Sequence, residues 1–568
     1  MLSSVPSTPP GQASAEADRG RIAPGPAGSV RPPYTGDTPA PRQPGGAASG
    51  ASPRAAQLAT AILALIAAIA LGVNLSGFPY HENDEGTYVA QAWAVTGLGR
   101  LAPYTYTYDH APLGWLTIAA WTIVVGGVRR FGTAVDTGRV LMVLVQVAST
   151  VLVFRIGLRL SGRVWVGLLA GALFALAPVG IYYHRRVLLD NLATLWLLLG
   201  LLLLLPRPAL DGATWTRPAT FWTIVSGLAF GAAVLTKEVA AATLPAFVLL
   251  AARPAPGLWR WRPLLSWLCA AVLVIALYPL LAASRGELLP AGLFGSAPPS
   301  GVSLIGALTE QLARGRDGGL LSPLSEIWRT IGRWAREEPL LVVGGTLAAI
   351  WLMTRWRRHP AEASIGLAAL CFWAFLGRGG IVLPFYLLPL LPLLALLVAL
   401  TCSPLPDLIP NRGLARAAPA LTIAAGLLLL VPGLTSPTLG FAGNPLSLWT
   451  NRQADAQREA VAWLHANAPP TSRIVVDDAL WLDLRQDGRG GGFPDVHPYW
   501  KVERDPAVRD GVFGGRWQAI EYLVVSPQLR SDAETAGFAL LPPAIDRSEV
   551  VARFDTGGWP LEIRRVRP

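Results

Sequence analysis

Long apolar runs, broken by short arginine-bearing or aromatic-polar stretches, fill the chain from about residue 55 to 436. The runs at 55–75, 139–159, 164–183, 187–205, 219–236, 238–252, 263–283, 338–354, 363–377, 381–401 and 417–436 read as helices. Each approaches the length needed to cross a hydrocarbon core about 30 Å thick at about 1.5 Å per residue. A further run at 113–128 is slightly short for a span. Charge parity decides its reading. If 113–128 does not cross, Arg155/Arg159/Arg163, Arg207/Arg217, Arg253/Arg260/Arg262, Arg355/Arg357/Arg358 and Arg412/Arg416 all share a side with Arg54. If it crosses, every cluster moves to the opposite side, against the positive-inside rule. The run 113–128 is therefore read as an interfacial helix, with Trp115 and Trp121 at headgroup depth.

The pattern predicts an α-helical polytopic membrane protein of about eleven transmembrane helices over 54–436, in the cell membrane. Its N-terminus is expected in the cytoplasm and its C-terminus outside. Residues 1–53, rich in Pro, Gly, Ala and Ser, read as a disordered cytoplasmic tail, too long and polar to begin a cleaved signal peptide. Residues 76–138 form the first extracytoplasmic loop, with interfacial helices, and 284–338 a second long one. From 437 to 568 charge becomes frequent, and a small extracytoplasmic α/β domain is expected. Its helical spacing lies at 456–466 and its strands at 474–476, 522–525 and 550–554.

Composition agrees with a membrane reading. Hydrophobic residues make up 52% and charged residues only 15% of the 568, too little charge to cover a soluble chain of this size. The net charge of +11 does not indicate a nucleic-acid partner, because the arginines sit in short clusters between apolar runs. Cys269, Cys371 and Cys402 lie in or beside apolar segments and imply no disulfide framework.

Candidate chemistry gathers on the predicted outer face. Asp84 and Glu85 are adjacent carboxylates just past the first run, and residues 78–112 add Asp109, His110 and five tyrosines, Tyr88 among them. A carboxylate at a membrane surface can serve as general base to a substrate hydroxyl. The competing reading is a helix N-terminus whose acids satisfy free backbone N–H groups. Arg185, Arg186 and Asp190 lie between the third and fourth runs, Lys237 and Glu238 between the fifth and sixth, and Arg378 and Tyr386 near the tenth. Cations converging there suit a lipid phosphate; helix-end ion pairing, such as Arg186 with Asp190 at i,i+4, is the structural alternative. Asp477, Asp478, Asp483 and His497 are candidates for a second site, but strand-end and loop roles explain them more simply. No Walker-type loop ending in Lys-Ser or Lys-Thr and no zinc-ligand spacing occurs.

On these residues the chain resembles, over roughly 55–440, the GT-C glycosyltransferases that use polyprenyl-phosphate sugars, the superfamily of protein O-mannosyltransferases and aminoarabinose transferases. The resemblance rests on the Asp84-Glu85 pair, Ala111-Pro112-Leu113, Arg185-Arg186-Val187-Leu188-Leu189-Asp190, Thr236-Lys237-Glu238 and Phe385-Tyr386-Leu387-Leu388-Pro389. It implies transfer of a sugar from a polyprenyl-phosphate donor to a glycan, lipid or protein acceptor of the cell envelope, with inversion. Asp84 would be the general base, and Glu85 would position the site or support a divalent cation. Arg185, Arg186, Lys237 and His110 would contact the donor phosphate, with Asp109, Tyr88, Asp190, Arg378 and Tyr386 in support. The sequence departs from the family where His110 and Phe385 replace basic residues; Arg378 or Arg186 is the candidate to compensate. A lipid-linked-sugar flippase is the rival reading, but the charges gather at one face and no inverted repeat is evident. A non-catalytic assembly subunit is the third.

Overall fold

Every apolar run is helical in the computed structural model of the chain. The structure describes residues 52–567, except 206, 209–214, 217–219, 253–260, 292–297, 299–300, 314–318, 442–443 and 486–490. The expected tail thus lies almost wholly outside the described residues, as do Arg217, Arg253 and Arg260 of the arginine clusters.

Among the described residues five helices are long and apolar enough to cross a membrane: Pro53–Gly72, Ala134–Ser161, Arg262–Ser284, Pro384–Leu408 and Arg412–Leu434. Two more apolar stretches are bent pairs, Val164–Ala175 with Pro178–His184 at 59°, and Glu326–Glu337 with Leu340–Thr354 at 110°. Shorter apolar helices occupy Leu189–Leu204, Thr220–Thr236, Glu238–Ala251 and Pro360–Leu376, where the remaining spans were expected. Proline explains both breaks. Pro178 and Pro339 each lack an N–H and crowd the preceding turn. The first break is also capped from the second, because the buried Glu338 carboxylate accepts the Val179 N–H at 2.8 Å. Pro384–Leu408 is the central helix, 83% buried, whereas Arg262–Ser284 and Arg412–Leu434 are 22% buried and turn their apolar surface outward.

The run at 113–128 forms only Leu113–Val124, 12 residues, too short to cross. One expectation is corrected here. Trp115 is buried inside the protein, edge-on to Tyr106 at 5.6 Å, and the outward face is Leu116, Ile123 and Val124. The loop at 284–338 is partly helical too, with Leu304–Ala313 and Glu326–Glu337.

The C-terminal segment builds a five-stranded sheet in the order Val496–Pro498, Ile474–Val476, Tyr522–Val525, Leu561–Val566, Ser548–Phe554. The first three strands run parallel and the last two pair antiparallel. Asp455–Asn467 is the expected helix. The strands Val496–Pro498 and Leu561–Val566 were not read from the sequence: the first is three residues long, and the second carries three charges in six positions.

This segment is docked on the first loop. Helix Asp478–Arg485 lies against helix Asn83–Leu98 so closely that a Cβ on Gly86 would fall 2.2 Å from the Asp478 backbone. Trp481 wedges beside Trp93 at 5.6 Å and donates to the Val496 carbonyl at 2.8 Å. Tyr80 stacks on Trp559 at 3.5 Å, and Gln457 exchanges hydrogen bonds with both the N–H and the C=O of His81.

Candidate functional site

The two adjacent acids, Asp84 and Glu85, face different surroundings. They occupy the first turn of helix Asn83–Leu98, which opens with a reciprocal capping box between Glu82 and Glu85. Glu85 is fully buried and fully occupied. Its two oxygens accept from Arg139 at 2.8 and 2.7 Å, from the Val187 N–H at 3.0 Å and from the Glu82 N–H at 3.0 Å. Arg139 spends its other donors on the carbonyls of Leu75, Pro79 and Tyr80. Arg139 was not singled out in the sequence. The available signal was an arginine at the end of an apolar run, which is costly unless paired.

Asp84 is half-buried and lies within the electrostatic reach of Lys237, His110, Asp109 and Asp190. Burial raises its carboxyl above the usual carboxylate range, against the opposing pull of the Lys237 and His110 charges. Lys237 donates to Asp190 at 2.5 Å, and its ammonium sits 5.2 Å from the Tyr386 ring and 5.3 Å from the Phe385 ring. The His110 Nδ1 lies 3.2 Å from Glu238, whose other oxygen accepts the Ala111 N–H at 2.5 Å. Burial pulls His110 down, but the hydrogen bond and charge of Glu238 outweigh it, so its pKa is raised. The His110 carbonyl accepts from Tyr106 at 2.6 Å and Tyr278 at 3.0 Å, which fixes the loop. Tyr88 lies 6.2 Å from the His110 ring and holds its proton, since burial first, and then the Asp84 charge, push its pKa well up. Asp109 joins through its backbone and side chain, both reached by Gln311. Arg378 is exposed and stacked on Phe375 at 3.9 Å.

Arg185 and Arg186 are employed elsewhere. The buried Arg185 donates to the carbonyls of Phe78, Ala70 and Val73, closing the end of the first helix. Arg186 pairs with Glu82, not with Asp190 as the i,i+4 spacing suggested, and lies 4.7 Å from both the Tyr80 and Tyr182 rings. Both guanidiniums thus have partners within the protein in this arrangement. The reason is geometric: 185–188 leaves the helix between Pro178–His184 and Leu189–Leu204, so sequence spacing no longer sets the partner.

The four residues considered as a second site do not converge. Asp483 pairs with Arg129 at 3.1 Å and accepts the Ala134 N–H; Asp478 accepts from Thr87; His497 bonds Tyr104 at 2.8 Å. Burial pushes Asp477 and Asp483 up to about 7. Among the described residues no group of three or more His, Cys, Asp or Glu side chains is arranged to hold a metal ion.

Below the polar cluster runs an apolar crevice. Thr194, Leu197, Leu198 and Leu201 line it from helix Leu189–Leu204, which carries Asp190 in its first turn; Thr243, Ala246 and Phe247 line it beyond Lys237; Pro389 and Pro392 line it beyond Tyr386. Ser364, Ile365 and Ala368 of helix Pro360–Leu376 complete the lining, so Asp190, Lys237 and Tyr386 lie in or beside three of the elements that wall it.

Residues 113–283 match the family model of dolichyl-phosphate-mannose-protein mannosyltransferases. No curated protein sequence matches. Among solved structures the chain is similar to ArnT from Cupriavidus metallidurans bound to undecaprenyl phosphate, with a TM-score of 0.55 at 15% identity over 90% of this chain and 98% of that one. It is similar also to the apo state of the same protein, with a TM-score of 0.53 at 14% identity over 90% and 97%. The chain is a multi-pass membrane protein with the GT-C fold. Fold and family match support a membrane glycosyltransferase.

Proposed function

We propose that this protein transfers a sugar from a polyprenyl-phosphate donor to an acceptor of the cell envelope, on the extracytoplasmic face, with inversion at the anomeric carbon. The observation that carries the reading is that Asp84 feels the charges of Lys237 and His110, while the chain segments after Asp190, Lys237 and Tyr386 run on to wall an apolar crevice. A polyprenyl phosphate needs both parts: cations for its head and a greasy channel for its tail. A similar structure is described as holding undecaprenyl phosphate, which is a donor's leaving group without its sugar.

The chemistry follows from the charges. The acceptor hydroxyl attacks the anomeric carbon while Asp84 takes its proton. The carbon–oxygen bond to phosphate breaks, and the electron pair leaves on the polyprenyl phosphate, stabilised by Lys237 and His110. Asp190 and Glu238 orient those two cations, Tyr88 and Tyr386 pack around them, and Arg378 approaches from the rim. Glu85 acts at one remove, through Arg139 and the start of the Asp84 helix. Arg185 and Arg186 hold the same loop against the first and third helices.

The test is transfer from a purified lipid-linked donor by wild type and by Asp84→Asn. The amide keeps the shape but cannot accept the proton, so turnover is expected to fall by roughly 10²–10⁴-fold with donor binding retained. Near-normal transfer by the variant removes Asp84 from the mechanism.

A further inference from the structure

A cavity of about 20 Å³, room for one water, lies where helix Asn83–Leu98 meets the C-terminal region. Thr87 and Gln91 line it from that helix, Asp478 and Trp481 from helix Asp478–Arg485, and Lys501 from helix Tyr499–Arg504. Asp84, Thr87 and Gln91 stand at i, i+3 and i+7, so the helix face that carries the base also reaches this cavity. Thr87 donates to the Asp478 carboxylate at 3.2 Å. Gln91 is 9% exposed, and its side-chain carbonyl oxygen has no hydrogen-bond partner among the described residues. Leaving such a group buried and unpaired is costly, and a water placed between it and the polar side chains opposite removes that cost.

We propose that Asp478 is a positioning residue for the base. Directly through Thr87, and through Gln91 by way of one water, it anchors the helix face that presents Asp84. It also sets a second negative charge within reach of that carboxylate. The inference rests on the reading of Asp84 as base and deepens it, by bringing a residue of the C-terminal region into the machinery of transfer. Lys501 and Tyr499 bear on Asp478 from helix Tyr499–Arg504, Asp477 precedes it in the chain, and Asp84 acts on it across the helix contact. Burial pushes the Asp478 carboxyl up to about 6, against the pull of Lys501 and the Thr87 hydrogen bond, and the Asp84 charge adds to the rise. The influence of two such carboxylates is mutual. Asp478 therefore joins Lys237, His110, Asp109 and Asp190 in the field of the base, with Tyr88 and Tyr386 also in its reach.

The test uses the full-length protein, the lipid-linked donor of the Asp84→Asn assay, and undecaprenyl phosphate as the binding probe. Asp478→Ala removes both anchor and charge. Its kcat is expected to fall at least about tenfold with undecaprenyl phosphate binding unchanged, because a displaced base is slow while the donor contacts stay in place. Thr87→Val, which cuts the direct anchor and keeps the charge, should lower kcat in the same way. Asp478→Asn still accepts from Thr87 and should recover most of the loss, but it lacks the charge. Removing a neighbouring anion favours ionised Asp84 and lowers its pKa, so the acid limb of kcat/KM should move to lower pH. A merely structural role would leave that limb in place. An unmoved limb in Asp478→Asn overturns the inference, as does wild-type kcat in Asp478→Ala or Thr87→Val. If the alanine variant does not fold, as its thermal transition will show, Asp478→Asn decides alone. These failures leave the catalytic reading standing as long as Asp84→Asn is inactive. Near-normal transfer by Asp84→Asn would instead overturn that reading, whatever the Asp478 variants do.

Discussion

At the scale of single residues, two neighbouring carboxylates have been given opposite circumstances. Asp84 titrates in a field of two cations and two acids, and a base must be deprotonated to act. Activity therefore falls as pH drops through its pKa, which burial raises and the Lys237 and His110 charges hold down. Removing one of those charges lets burial act with less opposition. In His110→Gln the acid limb of the kcat/KM profile is expected to move to higher pH; an unmoved limb would take His110 out of the electrostatics of the base. Glu85 is the structural partner of the pair. Both it and Arg139 have no exposed side-chain surface, and removing one member of such a pair costs about 3–5 kcal/mol because the other is left buried and uncompensated. Glu85→Gln and Arg139→Met should each lower the thermal transition markedly, and the double variant by less than the sum. Additive losses would show that the two groups are not coupled.

At the scale of elements, the helix carrying Asp84 is positioned from the C-terminal side. Asn83 accepts no freedom at its start, since its amide donates to the Tyr499 hydroxyl at 2.8 Å, and Thr87 donates to Asp478 one turn on. Gly86 lies between them, where the Asp478–Ala479 backbone passes at 2.2–2.3 Å from a would-be Cβ. A main chain cannot step aside as a flexible side chain would, so Gly86→Ala should cost roughly 1–3 kcal/mol by overpacking. The expected readout is a lower thermal transition together with reduced sugar transfer, because the same shift moves Asp84. Wild-type values for both would mean that helices Asn83–Leu98 and Asp478–Arg485 are not packed at this distance.

At the scale of the whole molecule, the reading requires a sidedness. Asp84 and the residues after 437 belong outside, and the loop of Arg355, Arg357 and Arg358 inside. In a chain with Cys269, Cys371 and Cys402 replaced, a cysteine at position 357 should resist an impermeant reagent applied from outside. Cysteines at exposed positions such as Arg553 should react. Labelling of position 357 from outside would refute the eleven-span arrangement. The sequence by itself determined the helical bundle, a helix within the run 113–128 and the presence of a C-terminal α/β region, because these follow from run length and composition. It also named most of the polar cluster, since ionisable groups at the ends of apolar runs are too costly to be incidental. What it could not determine was pairing. Arg186 took Glu82 instead of Asp190, Asp190 took Lys237, and Arg139 claimed Glu85, because partners are chosen across helices whose approach is set by packing. Trp115 turned inward for the same reason. The strand Leu561–Val566 stayed hidden because its charged residues pair with neighbouring strands and helices that only the folded sheet brings alongside. Run length and charge fix which segments form and where they end; close packing between segments distant in sequence fixes which side chains meet, and the site is made of those meetings.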